Sequence, residues 1–215
     1  MPDDIKLVIA IPTAGTVPMS FAYSLATMVS YTAANGIPSR PEASLELKMD
    51  VVESSNWITN REQLVKRALD AGMTHLMFLD DDMMFEPQVL DIMLGRRQPI
   101  VCTNYLIKTE PASDFVAVDL KGKRLPTHEK SKGIQPIMYS GFGVSLFELQ
   151  VFKDIPQPWF APDFLSKENS YTTEDLPMYR RAREAGYKIY LDHDASKFVT
   201  HLGRKAWNWK EVNYG

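Results

Sequence analysis

Three consecutive carboxylates, Asp80-Asp81-Asp82, close the apolar run Leu76-Met77-Phe78-Leu79 and are the residues of this chain best equipped for chemistry. In an extended segment Asp80 and Asp82 would point to one side and Asp81 to the other, because side chains alternate along a strand. Two carboxylates on one side repel each other unless a cation or a proton intervenes. A hard divalent ion, Mg²⁺ or Mn²⁺, meets that need because it favours carboxylate oxygen. An EF-hand is excluded, since neither the glycine nor the closing glutamate of such a loop falls at the required spacing. The plainer reading is an acidic turn that caps the helix following Pro87.

Further along, Thr172-Thr173-Glu174-Asp175 supports two readings. Thr172 with an acid three residues on resembles a capping box, and acids in a first helical turn favour the helix dipole. Alternatively one of these carboxylates faces a cleft as a general base. His201, close to Gly203, could offer a neutral nitrogen to a metal, although a lone histidine is more often structural. His193 stands between Asp192 and Asp194, a weaker acidic metal site. Arg61, near Asn56 and Asn60, reads either as a surface arginine or as a contact to phosphate or base. Ser140-Gly141-Phe142-Gly143 lacks the further glycine and the lysine of a phosphate loop, so its glycines serve close backbone approach or tight packing. Arg204, Lys205, Trp207, Trp209 and Lys210 form a basic, aromatic tail that could stack on sugars or bases, or dock on the domain.

The elements that must position these residues follow from periodicity. A β-rich apolar run, Ile5 to Ile11, reads as a strand closed by Pro12-Thr13-Ala14-Gly15. A helix is predicted from Pro18 to Ala34, ending at Asn35-Gly36. Leu45 to Val52 alternates as a strand, and Ile58 to Ala71 has helical spacing with Thr59 or Asn60 as its start. The run from Thr74 reads as a strand buried on both faces, the kind covered by helices in parallel sheets, where ligands bind beyond the carboxyl ends. A short helix over Pro87 to Leu94 and a strand over Pro99 to Thr103 complete a β-α-β-α-β-α-β order, which implies an α/β sheet. Beyond it, Lys121-Gly122-Lys123-Arg124 resembles a hairpin turn, Pro156 to Phe160 an irregular aromatic loop, Thr172 to Gly186 a helix and Lys188 to Asp192 a strand. Residues 1–103 read as a nucleotide-binding-style half and residues 104–215 as a mixed half of one domain that could hold a second substrate.

Composition is that of an ordinary globular protein. The 215 residues can bury a sizeable core, and a net charge of -3 argues against a surface built to grip nucleic acid. The single cysteine, Cys102, excludes an intramolecular disulfide and, set in Pro99-Ile100-Val101-Cys102, reads as a small buried side chain. With no signal-peptide pattern and no apolar run approaching the ~20 residues of a membrane span, a cytoplasmic location is expected.

Taken in order, these segments resemble glycosyltransferases of the GT-A fold, in particular the small family-2-like enzymes of bacteria and phages. Ile9-Ala10-Ile11-Pro12-Thr13 looks like the opening strand and loop, Asn60-Arg61 and the helix to Gly72 like the element before the acidic motif, and Leu79-Asp80-Asp81-Asp82 like the DxD motif. Gly141-Phe142-Gly143 looks like the acceptor-side glycine segment, Glu174-Asp175 like the ED pair, Ala182 to Asp192 like the closing helix and strand, and His201-Leu202-Gly203 like the late HxG. The resemblance implies a Rossmann-like, mostly parallel sheet flanked by helices. It also implies a nucleotide-sugar donor, a UDP-sugar foremost, and a Mn²⁺ or Mg²⁺ ion held by Asp82 and His201, with Asp80 alongside. Pro12 and Thr13 would line the base pocket, while Asn60, Arg61, Asp80 and Asp81 would contact the donor. Asp175, or Glu174 beside it, would deprotonate an acceptor hydroxyl in an inverting displacement, although the family's motifs also occur in retaining enzymes. Gly141, Phe142, Gly143 and Trp159 would face the acceptor, which could be a glycan, a small molecule or modified-base DNA. Two other readings stand beside this one. A nucleotidyltransferase also sets acids at strand ends, but Thr13-Ala14-Gly15-Thr16 lacks the usual lysine; a non-catalytic module could retain a nucleotide or metal site.

Overall fold

The computed structural model describes residues 4–109, 114–203, 206, 207 and 210. Its first half runs β1 (Asp4–Thr13), α1 (Met19–Asn35), β2 (Ser44–Glu53), α2 (Trp57–Asp70) and β3 (His75–Leu79). Then come β4 (Met83–Phe85), α3 (Val89–Gly95) and β5 (Ile100–Cys102). The second half holds β6 (Ile134–Ile137), β7 (Val144–Glu148), α4 (Gln150–Asp154), β8 (Phe164–Leu165) and β9 (Ser170–Tyr171). It closes with α5 (Asp175–Glu184), β10 (Ile189–Asp192), α6 (His193–Ser196), β11 (Val199–Leu202) and β12 (Ala206–Trp207).

Among the described residues the central sheet has the order β2-β1-β3-β7-β5-β10-β6. Strands β2, β1, β3, β5 and β10 run one way, and β7 and β6 run against them. The mostly parallel sheet expected from the βα order is therefore present, with one antiparallel strand inserted at its centre. From β1 the chain crosses to β2 on one side, and the next crossover brings β3 to the other side of β1. Such a reversal opens a crevice at the carboxyl ends of the two strands, here Thr13 and Leu79.

Period-two alternation explains why these runs are apolar throughout. Val8 and Ala10 of β1, Leu76 and Phe78 of β3 and Phe147 of β7 face one core, with Leu64, Val65 and Ala68 of α2 and Met178 and Tyr179 of α5. Their alternates, Leu7, Ile9, Ile11, Met77, Leu79 and Leu146, face a second core with Phe21 and Met28 of α1 and Met93 of α3. A sheet covered on both faces has no polar side, and each large side chain so buried contributes about 1.5–3 kcal/mol. Cys102 belongs to the first core, where burial pushes its thiol up to about 12 and its Sγ lies 3.0 Å from Tyr179 Oη.

Two boundaries differ from the sequence reading. Helix α2 starts at Trp57, not at Thr59 or Asn60, because the Asn56 side chain accepts from Thr59 N–H and caps it. The acidic stretch does not continue as a strand: Met83 N–H donates to Asp80 C=O across a turn, and β4 joins β11 in another sheet. The predicted turn over Lys121 to Arg124 is present, with Asp119 N–H donating to Lys123 C=O and Gly122 at φ 79°. No helix among the described residues is long and apolar enough to cross a membrane.

At the far edge of the sheet, Arg96 clamps Asp192 and Asp194, with its Nε 2.7 Å from Asp192 Oδ2. Beside this clamp His193 is buried, its Nδ1 2.9 Å from Thr127 Oγ1 and its Nε2 3.2 Å from Gln135 Oε1. Burial lowers the His193 pKa below 6.5, against the pull of Asp192 and Asp194 and with His128 and Lys197 adding to the drop. The unfolded chain therefore takes up this proton first, so stability present above pH ~6.5 is lost as pH falls below it, by up to about 1.4 kcal/mol per unit. Urea unfolding at about pH 7.5 and 5.5 should give a lower midpoint at the acid pH, and His193→Gln should narrow the gap. An undiminished gap in that variant would refute the assignment.

Candidate functional site

The crevice at the ends of β1 and β3 is a cleft of about 310 Å³ lined by Trp57, Arg61, Asp80, Asp81, Asp82 and Glu174. It is organised from beneath by Arg61, whose side chain is only 3% exposed. Helix α2 carries the guanidinium over the rings of Phe78 and Phe142, 5.1 and 4.9 Å from their centroids. Arg61 Nη2 donates to Asp80 Oδ1 at 2.8 Å, and Nε donates to Glu174 Oε1 at 3.4 Å. Burial alone would lower the Arg61 pKa, but Asp80 and then Glu174 raise it, so the group stays charged. For Asp80, burial pushes the carboxyl up against the opposing pull of Arg61. Arg61 Nη1 is a buried donor with no hydrogen-bond partner among the described residues, a loss that the two ring faces partly offset.

Because Asp80 to Asp82 form a turn, the alternation expected of a strand does not apply, and each carboxylate has its own counterpart. Asp80 turns to Arg61. Asp81 Oδ2 accepts from Thr13 Oγ1 at 2.7 Å, tying the end of β1 to the turn. Asp82 Oδ2 faces His201 Nε2 at 3.4 Å and also meets Lys108 Nζ. Burial works against the Asp82 carboxylate, yet hydrogen bonds from His201 and Lys108 hold its pKa down to about 2. Asp80 is thus paired with the guanidinium, while Asp82 faces His201 and Lys108. Among the described residues no three His, Cys, Asp or Glu side chains converge on a metal position.

His201 reaches Asp82 because β11 pairs with β4, placing His201 opposite Met83 while Leu202 N–H donates to Asp82 C=O at 2.7 Å. Its Nδ1 lies 2.8 Å from Leu106 C=O, which can only accept, so Nδ1 carries hydrogen and Nε2 is the nitrogen turned to Asp82. Tyr105 packs edge-on against the imidazole at 5.0 Å between centroids. The glycine segment explains that contact. A Cβ on Gly141 would lie 2.2 Å from Tyr105 Oη, and one on Gly143 2.7 Å from Tyr105 Cζ, so both glycines admit the ring. Gly143 N–H donates to Tyr105 Oη at 2.9 Å, and Gly143 C=O accepts from Asp80 N–H at 2.9 Å.

Glu174 precedes α5 and lines the cleft; Asp175, the next residue, begins the helix. Burial raises the Asp175 pKa, while Thr173 Oγ1 and Leu176 N–H, the latter at 2.7 Å, both bond its Oδ1. The capping box does not form, since Thr172 Oγ1 accepts from Asp163 N–H instead.

Several candidates have other duties. Asn60 is fully buried, its amide donating to Thr13 C=O at 3.2 Å and Ser54 C=O at 3.0 Å, so it braces β1. Pro12 is buried in β1. Phe142 lies in the aromatic core with Phe78, Phe147, Phe160 and Tyr179. Trp159 is also core, its indole N–H spent on Phe152 C=O and Ile155 C=O, which leaves neither ring a face for an acceptor. Arg204, Lys205 and Trp209, and the Trp207 side chain, lie outside the described residues. Trp57, Tyr105 and Lys108 were missed. An exposed aromatic after the polar break Ser54-Ser55-Asn56 was a signal for Trp57, whereas nothing in local spacing marks Lys108.

No protein-family model matches the sequence, and no curated protein matches it. Solved structures do. A197 from STIV aligns with a TM-score of 0.57 at 17% identity, over 93% of this chain and 86% of that one. The S. aureus TarS 1-349 structure in complex with UDP-GlcNAc aligns at 0.52 and 12% identity, over 97% of this chain and 61% of that one. Likenesses at this identity concern the fold, and they agree with the GT-A architecture that the motifs imply.

Replacing Arg61 with Met keeps the bulk and leaves the partly buried Asp80 and Glu174 without a counter-charge. Arg61→Met should lower the unfolding free energy by about 3–5 kcal/mol, and Asp80→Asn in the same background should recover part of it. Equilibrium urea denaturation measures both. A loss below about 1 kcal/mol would show that the ion pairs are dispensable.

Proposed function

We propose that the protein is a glycosyltransferase that passes a sugar from a nucleotide-sugar donor to an acceptor hydroxyl. The observation that carries this reading is a convergence: the acidic turn, Arg61 and Glu174 line one crevice of a GT-A-like sheet, with Asp175 next to Glu174 in the chain and His201 against Asp82. UDP-GlcNAc in the TarS structure supports a UDP-linked sugar as the first donor to try.

Asp82 and His201 fit a divalent ion, Mn²⁺ or Mg²⁺. One carboxylate and one imidazole nitrogen, with the other nitrogen engaged by Leu106 C=O, leave further positions to a diphosphate and water. Bound there, the ion would supply positive charge to the departing diphosphate. Thr13 and Asp81, joined across the cleft edge, form the nucleoside side of the donor site. Arg61 holds Asp80 in place for the donor sugar and keeps the paired acids from repelling one another.

In the transfer, the acceptor oxygen attacks the anomeric carbon as the bond from that carbon to the diphosphate oxygen breaks. The diphosphate leaves with the bonding electrons, and the acceptor proton passes to a carboxylate. Asp175 suits the last role, since burial raises its pKa towards the working range of a base and its two bonds fall on Oδ1. Glu174, paired with Arg61, is then a positioning residue.

Titration of Mn²⁺-dependent UDP binding checks the donor side: Asp82→Ala and His201→Ala should each weaken it by about 10–100-fold. Unchanged binding in both would sink the metal assignment. For the base, Asp175→Asn should spare UDP-sugar binding while lowering the rate of sugar release or transfer by about 10²–10⁴-fold. Retained turnover would move the base to Glu174, and binding without turnover in the unaltered protein would indicate a binding module.

A further inference from the structure

We infer that Lys108 is a built-in counter-cation of the donor site, holding Asp82 in the free protein and moving to the donor diphosphate when a divalent ion takes that carboxylate. The inference rests on the glycosyltransferase reading and adds to it a residue and an order of events.

Lys108 Nζ and His201 Nε2 meet the same Asp82 oxygen, Oδ2. An ion entering beside His201 needs that oxygen, and an ammonium held against it would face a doubly charged neighbour at short range. One of the two cations must yield. Arg61 has no such freedom, being 3% exposed and committed to Asp80 and Glu174. Lys108 has it, because its side chain is 34% exposed and carries its charge on a flexible four-carbon stem.

The backbone that bears Lys108 is nevertheless anchored beside the site. Leu106 C=O receives His201 Nδ1, Tyr105 Oη receives Gly143 N–H, and Ile107 N–H donates to Asp114 C=O at 2.9 Å. Releasing Asp82 therefore does not carry the lysine away. It leaves a single positive charge next to the position where a diphosphate held by an ion at Asp82 and His201 would lie, and a lysine ammonium binds phosphate as a point charge. The lysine thus offsets the Asp82 charge when no ion is present and adds to the ion's charge once the donor is bound.

Mn²⁺ titrations followed by electron paramagnetic resonance, and calorimetric UDP titrations with saturating Mn²⁺, test both halves. Lys108→Ala should bind Mn²⁺ alone roughly three- to tenfold more tightly than the unaltered protein, having lost its internal competitor. The same variant should bind UDP about tenfold more weakly in the presence of Mn²⁺. Lys108→Arg, which keeps the charge, should stay near the unaltered protein in both titrations. If the unaltered protein binds Mn²⁺ and UDP but Lys108→Ala fails to change either affinity in the stated direction, the inference is wrong and the donor site stands. If the unaltered protein binds neither probe, the glycosyltransferase reading falls and the inference with it.

Discussion

A guanidinium buried over two phenylalanine rings is the constraint on which this structure depends. Taking Arg61 out of water carries a large desolvation cost, and an arginine in that position survives only with compensation on several sides. Phe78 of β3 and Phe142 ahead of β7 supply their ring faces, and Asp80 and Glu174 supply opposite charge. Those four residues come from a central strand, the loop before its antiparallel neighbour, the acidic turn and the start of α5. One side chain therefore couples the core of the sheet to the cleft, and ties the first half of the chain to the later half.

The acidic turn obeys the same electrostatics. Three adjacent carboxylates would repel one another if held on one surface, and the turn resolves this by giving each a separate counterpart. Asp80 takes the guanidinium, Asp81 the Thr13 hydroxyl, and Asp82 the imidazole and ammonium of His201 and Lys108. The division also sorts roles. Asp80 is locked by a buried partner, whereas the more exposed Asp82 is held in part by a flexible lysine.

Close packing around Tyr105 connects the glycine segment to this arrangement. Without side chains at positions 141 and 143, the ring can rest on the backbone that receives Asp80 N–H, and its other side meets His201. The glycines thus act on the His201 side of the site through Tyr105.

Much of the fold was legible in the chain. The apolar runs of β1, β3 and β5, the Pro18 and Gly36 limits of α1 and the break after Leu79 all follow from local pattern, because burial on both faces and helix termination are encoded within a few residues. Also legible was the set of chemically capable residues, Asp80 to Asp82, Glu174, Asp175, Arg61 and His201. Their partners were not. That Asp80 meets Arg61, that Asp81 meets Thr13 and that Lys108 shares Asp82 with His201 depend on contacts between residues 19 to 119 positions apart in the chain, which no local spacing expresses. Asn60, Phe142 and Trp159 show the converse, since the family resemblance implied a ligand contact and tertiary packing buries them as interior braces. By itself the sequence determined which elements form and which residues could do chemistry, since periodicity and residue type are local properties. Only the tertiary structure decided which charges neutralise which, because that depends on the crossing of β1 and β3 and on the strand that returns His201 to the acidic turn.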